Sequence, residues 1–175
     1  MKPYITIYGY VYNFGVKASS PGNDLLTKLE TYEGHTFYVD EPKAAHGLGR
    51  APNPIEMFLS SLASCFIITL KLHSARVKLS IDSVEALAEG SFDIRGFIIP
   101  QKFRSGFTSI SLKSRIETKA SCAELTALLE KVINGWVVGS TISNAIPINF
   151  KVDATCLDEE GNLRGLNLSK IIKST

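Results

Sequence analysis

The chain has 175 residues, the size of one ordinary domain, because a single hydrophobic core stops growing at roughly 250 residues. Hydrophobic residues make up 45% of the chain and charged residues 21%, a composition that supplies a core and excludes a disordered polyampholyte. The net charge of +2 excludes the strongly basic surface of a nucleic-acid-binding protein.

The first part of the chain, about residues 1–41, has the pattern of a β-meander. Residues 4–14 alternate loosely and hold five aromatic side chains, a composition typical of a strand. Two further short runs, 25–32 and 35–40, are separated by a Glu-Gly pair, and this arrangement predicts a hairpin. Residues 41–50 show no periodicity and are interpreted as a loop.

A long helix is predicted over about residues 53–78. Asn53 can cap its free backbone N–H groups, Pro54 suits the first helical position, and Glu56 can bond back to the cap. Apolar side chains then recur every three or four positions around most of the circumference, and Cys65 lies among them. This pattern indicates a mostly buried helix that a sheet or a second subunit covers on more than one side.

The second half of the chain alternates strand and helix patterns. Ser121 and Glu124 form a capping box at the start of a leucine-rich stripe. The predicted elements, in chain order, are strands over about 79–119, a second helix over about 121–135, a connector over 136–144, a closing strand over about 146–157, and an element of undecided type over 163–172. This order predicts one α+β domain spanning residues 1–175.

The three cysteines Cys65, Cys122 and Cys156 are far apart in the chain and form no CxxC pair. A disulfide framework and a structural zinc site are both disfavoured by this spacing, and we expect no metal and no cofactor. The N-terminus lacks the continuous apolar segment of a signal peptide, and the apolar stretch 57–72 is interpreted as too short and too polar to cross a bilayer. These features predict a soluble cytoplasmic protein without a membrane partner.

Cys65 is the most reactive side chain that the sequence offers, and two interpretations of it stay open. It is either a small core hydrophobe or a reactive thiol, whose thiolate needs a cation, a donor or a helix N-terminus beside it. Cys65 lies twelve residues beyond Asn53, so the dipole of its own helix has decayed there. Arg50, His46 and Glu56 are the candidates nearby in sequence for activating it.

The chain resembles the OsmC/Ohr family of osmotically induced and organic-hydroperoxide-resistance proteins over roughly residues 35–155. The segments that carry the resemblance read YVDEP at 38–42 and APNPIEMFLSSLASC at 51–65. They are similar to the family pattern in which D-E-P precedes G-P-N-P-x-E-x-L-L-x-x-L-x-x-C, with the peroxide-attacking cysteine last. Supporting likeness is found at 92–97, 106–117 and 139–148.

The resemblance implies an intertwined homodimer in which antiparallel sheets wrap around two central helices, with a thiol site near the subunit interface. It further implies a cytoplasmic peroxidase of the oxidative stress response that acts on small hydroperoxides. Cys65 would attack the peroxide, and Glu56 or Arg50 would position or polarise the thiol. The family's usual carboxylate position is held here by Ile55, and no arginine precedes Arg50.

Trp136 is the main departure from the family pattern. It stands where the family has its second cysteine, which condenses with the oxidised first cysteine to a disulfide, and a tryptophan cannot do this. Neither Cys122 nor Cys156 occupies that position.

Two hypotheses follow from this departure. The protein either reduces hydroperoxides with one cysteine and an external thiol, or is a catalytically divergent homodimer that binds a small hydrophobic or thiol-bearing ligand at its interface. Trp136 and His46 are the candidates for lining such a pocket.

Overall fold

The molecule is described by a computed structural model over residues 11–173. The chain forms two compact units that meet in sequence after Phe58. The predicted strand at 4–14 lies largely outside the described residues. A single domain over 1–175 stays a prediction.

The first unit contains a three-stranded antiparallel sheet in the order β1-β2-β3. The strands are β1 (Val16–Ser19), β2 (Thr27–Thr31) and β3 (Thr36–Val39). Strands β2 and β3 pair with Leu29 opposite Phe37, which confirms the predicted hairpin. The loop after β3 contains one turn of 3-10 helix, Lys43–Ala45.

The second unit contains a four-stranded sheet in the order β4-β5-β6-β7. The strands are β4 (Ser83–Phe92), β5 (Phe107–Ser121), β6 (Ile148–Leu157) and β7 (Leu163–Ile172). The element of undecided type is therefore strand β7. Two of the three pairings are antiparallel, but β5 and β6 are parallel. The predicted sheets are therefore antiparallel except for this central pair, whose strands need the long helical crossover that lies between them.

Four α-helices accompany these sheets in the described part of the chain. They are α1 (Pro54–Arg76), α2 (Arg95–Ile98), α3 (Cys122–Gly135) and α4 (Val137–Ser143). Helices α1 and α3 begin within one residue of their predicted starts. Helix α4 corrects the predicted connector at 136–144. Its β-branched residues are weak helix formers, and packing of the buried Ile142 overrides that preference.

The core of the second unit lies on one face of its sheet. Buried side chains alternate along β5 and β6, as expected for strands with one covered face. Helices α1 and α3 contribute the other half of the core. The fully buried side chains from these two helices are Leu62, Phe66, Leu70, Leu125, Leu129 and Val132.

Cys122 and Cys156 form a disulfide, with their Cα atoms 5.1 Å apart. The expectation that a disulfide is disfavoured is therefore wrong. The reason is strand register: Ser121 at the end of β5 pairs with Leu157 at the end of β6. This pairing brings the first residue of α3 beside the neighbouring residue of β6.

Helix α1 is long and apolar enough to cross a membrane by length and composition alone, which corrects the interpretation of the shorter stretch 57–72. Leu62, Phe66 and Leu70 of this helix pack into the core of the second unit. Only 22% of the most apolar window of α1 is buried within the described chain. Much of the surface of α1 is therefore exposed within the described residues.

Candidate functional site

Cys65 is half-buried on α1 and carries a free thiol. Its side chain packs against the core of the second unit. The sulfur lies 4.0 Å from Oγ1 of Thr69, one helical turn later. Within the described residues 59–173, no ion pair or hydrogen bond joins this sulfur to a charged side chain. The contact that this unit gives the sulfur is therefore with the neutral hydroxyl of Thr69.

The exposed face of α1 follows a regular spacing that includes Cys65. The positions alternate by three and four residues, which is the spacing of a seam where two helices pack together. These seam residues are Phe58, Ser61, Cys65, Ile68, Leu72 and Ala75. Ile68 is 57% exposed and Leu72 58% exposed. The thiol thus lies on a helix face whose residues Ile68 and Leu72 are more than half exposed.

All three cysteines lie in the described residues, and two of them are bonded to each other. Cys156 is fully buried, whereas Cys122 is only partly buried at the start of α3. Neither is a free thiol that could condense with an oxidised Cys65. A disulfide to Cys65 within one chain would require the Cys122–Cys156 bond to break first.

Trp136 is fully buried between α3 and α4. Its ring meets Phe66 edge to face at 5.5 Å between centroids and lies 6.2 Å from the ring of Phe150. A Cβ atom at Gly139 would come within 2.3 Å of the indole ring, so the ring occupies the space that any larger residue at 139 would need. Within the described chain, the indole Nε1 has no hydrogen-bond partner. Trp136 therefore fills the core beside Phe66, the residue that follows Cys65.

Arg50 is bound to two carboxylates in the first unit. Its Nη2 donates to Oδ2 of Asp24 at 2.8 Å, and its Nε donates to Oδ2 of Asp40 at 3.3 Å. Asp40 is buried and also accepts hydrogen bonds from the backbone N–H groups of Glu41, Leu48 and Arg50. The guanidinium of Arg50 thus organises the loop after β3.

The pKa of Asp40 reflects two opposed effects. Burial of the carboxyl raises its pKa, but the hydrogen bonds that the carboxylate accepts from Arg50, Glu41 and Leu48 outweigh burial. The pKa of Asp40 therefore lies below its ordinary value. Asp40 is therefore charged at neutral pH, and it is the carboxylate that accepts the hydrogen bonds from the loop.

Glu56 closes a reciprocal cap at the start of α1. The backbone N–H of Asn53 donates to Oε2 of Glu56, and the backbone N–H of Glu56 donates to Oδ1 of Asn53, each at 2.8 Å. This confirms the predicted capping box. Glu56 lies nine positions before Cys65 on the same helix, about 13 Å along the axis. The helix therefore separates this carboxylate from the thiol within one chain.

His46 is exposed at the end of the 3-10 turn and has a positive φ of 65°. Its backbone N–H donates to the carbonyl oxygen of Lys43 at 3.1 Å. The turn geometry accounts for its backbone conformation. Its proposed place in a ligand pocket is a sequence-based prediction.

Thr69 was not among the predicted site residues, although it is the polar neighbour of the sulfur. Its position four residues after Cys65 places it on the same helix face. The signal in the sequence is a threonine within an apolar stripe, because a hydroxyl that is buried there is unfavourable without a hydrogen-bond partner.

Three comparisons relate the chain to known proteins. The sequence model described as OsmC-like protein matches residues 47–151. Uncharacterized protein YmaD of Bacillus subtilis is 32% identical over 85 residues, which cover 47% of this chain and 55% of that protein. The match therefore spans about half the length of this relative.

Two crystal structures share the fold. An OsmC-like protein from Mycoplasma pneumoniae superposes with a TM-score of 0.69 at 19% identity, covering 81% of this chain and 96% of the other. An organic hydroperoxide resistance protein OsmC from Legionella pneumophila superposes with a TM-score of 0.60 at 20% identity, covering 82% of this chain and 98% of the other. At these identities, the superpositions establish the fold alone.

Proposed function

Because the chain belongs to the family of OsmC-like proteins, we propose that it reduces organic hydroperoxides with Cys65 as its single reactive cysteine. The observation that carries this proposal is the state of the three cysteines: Cys65 is free and half-buried, while Cys122 and Cys156 are bonded to each other. The Legionella protein, which is described as an organic hydroperoxide resistance protein, supports the same class of substrate.

The reaction proceeds in two stages. The Cys65 thiolate attacks one peroxide oxygen, a sulfur–oxygen bond forms as the O–O bond breaks, and the alkoxide leaves and takes up a proton to become an alcohol. Cys65 is then a sulfenic acid. An external thiol condenses with it to give a mixed disulfide and water, and a second external thiol releases the Cys65 thiol together with the oxidised reductant.

Thr69 assists the first stage as a hydrogen-bond donor. Its hydroxyl lies 4.0 Å from the sulfur, the long range of contacts that involve sulfur. A donor beside the sulfur stabilises the thiolate over the thiol and so raises the reactive fraction. Within the described part of the second unit, this hydroxyl is the polar group that contacts the sulfur.

The reactive form is proposed to be a homodimer that pairs along the seam of α1. Ile68 and Leu72 are more than half exposed, and the contact of their apolar surface with water is unfavourable. A second helix with the same seam would cover this surface. The dimer would enclose Cys65 and could bring charged groups of a second copy near the sulfur. Arg50 and Glu56 are the residues that we propose for this electrostatic role.

The proposal is tested in single turnover without added thiol, so that the oxidation of Cys65 is measured alone. The purified protein is mixed with a stoichiometric amount of cumene hydroperoxide, and the sulfenic acid is trapped with dimedone and located by mass spectrometry. We expect an adduct on Cys65 and none in Cys65→Ser. Thr69→Val should slow oxidation about tenfold, the loss expected for one hydrogen bond to a charged group, while Thr69→Ser retains the rate. Equal peroxide consumption by the wild type and Cys65→Ser would refute the proposal.

A second candidate function is the binding of a small hydrophobic or thiol-bearing ligand at the dimer interface. Trp136 favours it, because a buried indole stands where a second thiol would be needed for the family's two-cysteine reaction. Because Trp136 is fully buried, it would not touch the ligand. It would affect the shape of such a pocket by fixing the position of Phe66, which its ring contacts. His46 is the other residue that we propose for the pocket. A protein that binds a thiol ligand but forms no sulfenic acid would support this function.

The protein is proposed to act in solution in the cytoplasm. Disulfides are rare in that compartment because cellular thiols reduce them. Cys156 is fully buried and Cys122 is partly buried, and burial slows attack on a disulfide sulfur by a reductant. The bond between Cys122 and Cys156 is therefore compatible with the proposed location.

A further inference from the structure

A cavity of about 440 Å³ lies at the far end of α1 from its N-terminal cap. It is formed where the chain leaves α1, where β5 ends and where α3 begins. The residues that line it are Val77, Lys78, Leu79, Ser80, Lys119, Ala120, Glu124, Ala127, Leu128 and Lys131. We propose that this cavity binds a small amphipathic anion, a carboxylate with a short hydrocarbon tail.

The charges that line the cavity favour an anion. Lys78, Lys119 and Lys131 contribute three positive charges, and Glu124 contributes one negative charge. Within residues 11–173, none of these three lysines takes part in an ion pair. The carboxylate of Glu124 is already engaged, because its Oε2 accepts from the backbone N–H of Ser121 at 2.9 Å and from the Ser121 hydroxyl at 2.7 Å. The cavity therefore has an excess of positive charge without a protein partner.

Lys78 occupies an unusual backbone position for a lysine. It lies two residues beyond the end of α1 and has a positive φ of 56°. The next backbone N–H, of Leu79, donates to the carbonyl oxygen of Ser74 at 2.9 Å. Glycine or asparagine commonly fills such a left-handed helix end, because a Cβ atom is disfavoured there. Lys78 is at the same time one of the residues that line the cavity.

The cavity walls determine the rest of the ligand. Val77, Leu79 and Leu128 line it with aliphatic side chains, and two alanines add further apolar surface. The volume falls within the range of sites for small ligands. Inorganic phosphate would satisfy the lysines but leave this apolar surface in contact with water. A carboxylate with a short alkyl tail matches both parts of the lining.

This site is distinct from the thiol site. Cys65 lies eleven positions before the end of α1 at Arg76, which is about 16 Å along the helix axis. The cavity begins only beyond that end. The anion proposal therefore does not depend on the reactivity of Cys65.

The proposal is tested by isothermal titration calorimetry of the full chain with octanoate, with octan-1-ol and with inorganic phosphate. We expect saturable binding of octanoate that weakens as sodium chloride is added, because salt screens the lysine charges. Octan-1-ol lacks the charge and phosphate lacks the tail, so both should bind at least tenfold more weakly. Equal binding of octanoate and octan-1-ol would overturn the proposal, as would the absence of saturation with octanoate.

Variants locate the binding site. Lys119→Met and Lys131→Met should each weaken octanoate binding about tenfold, as expected for one charge-assisted contact. Lys78→Gly should weaken it as well, and glycine suits the positive φ, so that the fold is retained. Lys102→Met is the matched control, because Lys102 is an exposed lysine outside the cavity lining. Unchanged affinity in all three cavity variants, or an equal loss in the control, would place the anion elsewhere.

Discussion

Asp40 shows at the scale of one residue how the loop after β3 depends on charge. Its buried carboxylate accepts three backbone N–H groups and the Nε of Arg50. A buried anion without such donors would be strongly destabilising. These hydrogen bonds stabilise the charged form of Asp40, and the stability of the first unit therefore depends on pH.

The first prediction concerns this dependence. Because the pKa of Asp40 is below its ordinary value of 3.8, its stabilising contribution is complete above that pH and is lost as the pH falls through the lower pKa of the folded state. Asp40→Asn should therefore be less stable than the wild type at pH 7, and this difference should shrink on acidification below about pH 4. Urea unfolding followed by circular dichroism across this range measures it. A difference that stays constant with pH would contradict the assignment.

The reactivity of Cys65 also depends on single side chains, namely its own thiol and the hydroxyl of Thr69. The spacing of four residues fixes them on one helix face, but the exposure of the sulfur depends on which face of α1 the core covers. The core takes Leu62, Phe66 and Leu70 and leaves the seam outside. The sulfenic acid experiment with Cys65→Ser and Thr69→Val checks this assignment at the scale of one atom.

At the scale of elements, α3 and α4 form one packing unit around Trp136. Helix α4 has only seven residues, too few to be stable alone. Its Gly139 lies directly against the indole ring, and a Cβ atom there would approach the ring to 2.3 Å. The short helix therefore persists because the ring and the glycine fit each other.

The second prediction follows from this fit. Gly139→Ala should destabilise the protein by about 1–3 kcal/mol, the usual cost of overpacking a core. Thermal unfolding measures the loss, and near-ultraviolet circular dichroism should report a changed environment of Trp136. Gly165→Ala in β7 is the matched control, because no atom lies within 4 Å of the Cβ position there. Equal stability of the two variants would show that the ring does not occupy this space.

At the scale of the whole molecule, the disulfide joins the start of α3 to the end of β6. The two cysteines are 34 residues apart, and the segment between them contains both α3 and α4. Closing this loop reduces the conformational entropy of the unfolded chain. The bond thus stabilises the only parallel pairing among the described strands.

The third prediction is the contribution of this bond. Cys122→Ser should lower the free energy of unfolding by about 3–4 kcal/mol, as expected for a closed loop of this length. Denaturant unfolding of both forms measures the loss, and Cys65→Ser serves as the control, which should match the wild type more closely. Titration of thiols in the unfolded, unreduced wild type should find one free thiol. Three free thiols would contradict the bond.

The helix starts and the hairpin could be predicted from sequence because their signals are local. Asn53 and Glu56 bond each other across three residues, as do Ser121 and Glu124, so neither cap depends on the rest of the fold. The family pattern that ends at Cys65 likewise lies within one short segment. These features set the α+β class, the central helix and the identity of the candidate thiol.

Three other features were decided by tertiary contacts. The disulfide depends on the register in which Ser121 meets Leu157, and helix α4 depends on the burial of Trp136 against Phe66 and Phe150. The exposure of the seam depends on which side of α1 faces the sheet. Each brings together groups from distant parts of the chain or selects one of several faces. The spacing of residues along the chain does not predict which groups meet or which face is buried, because the free energy that decides this comes from burial in the assembled core.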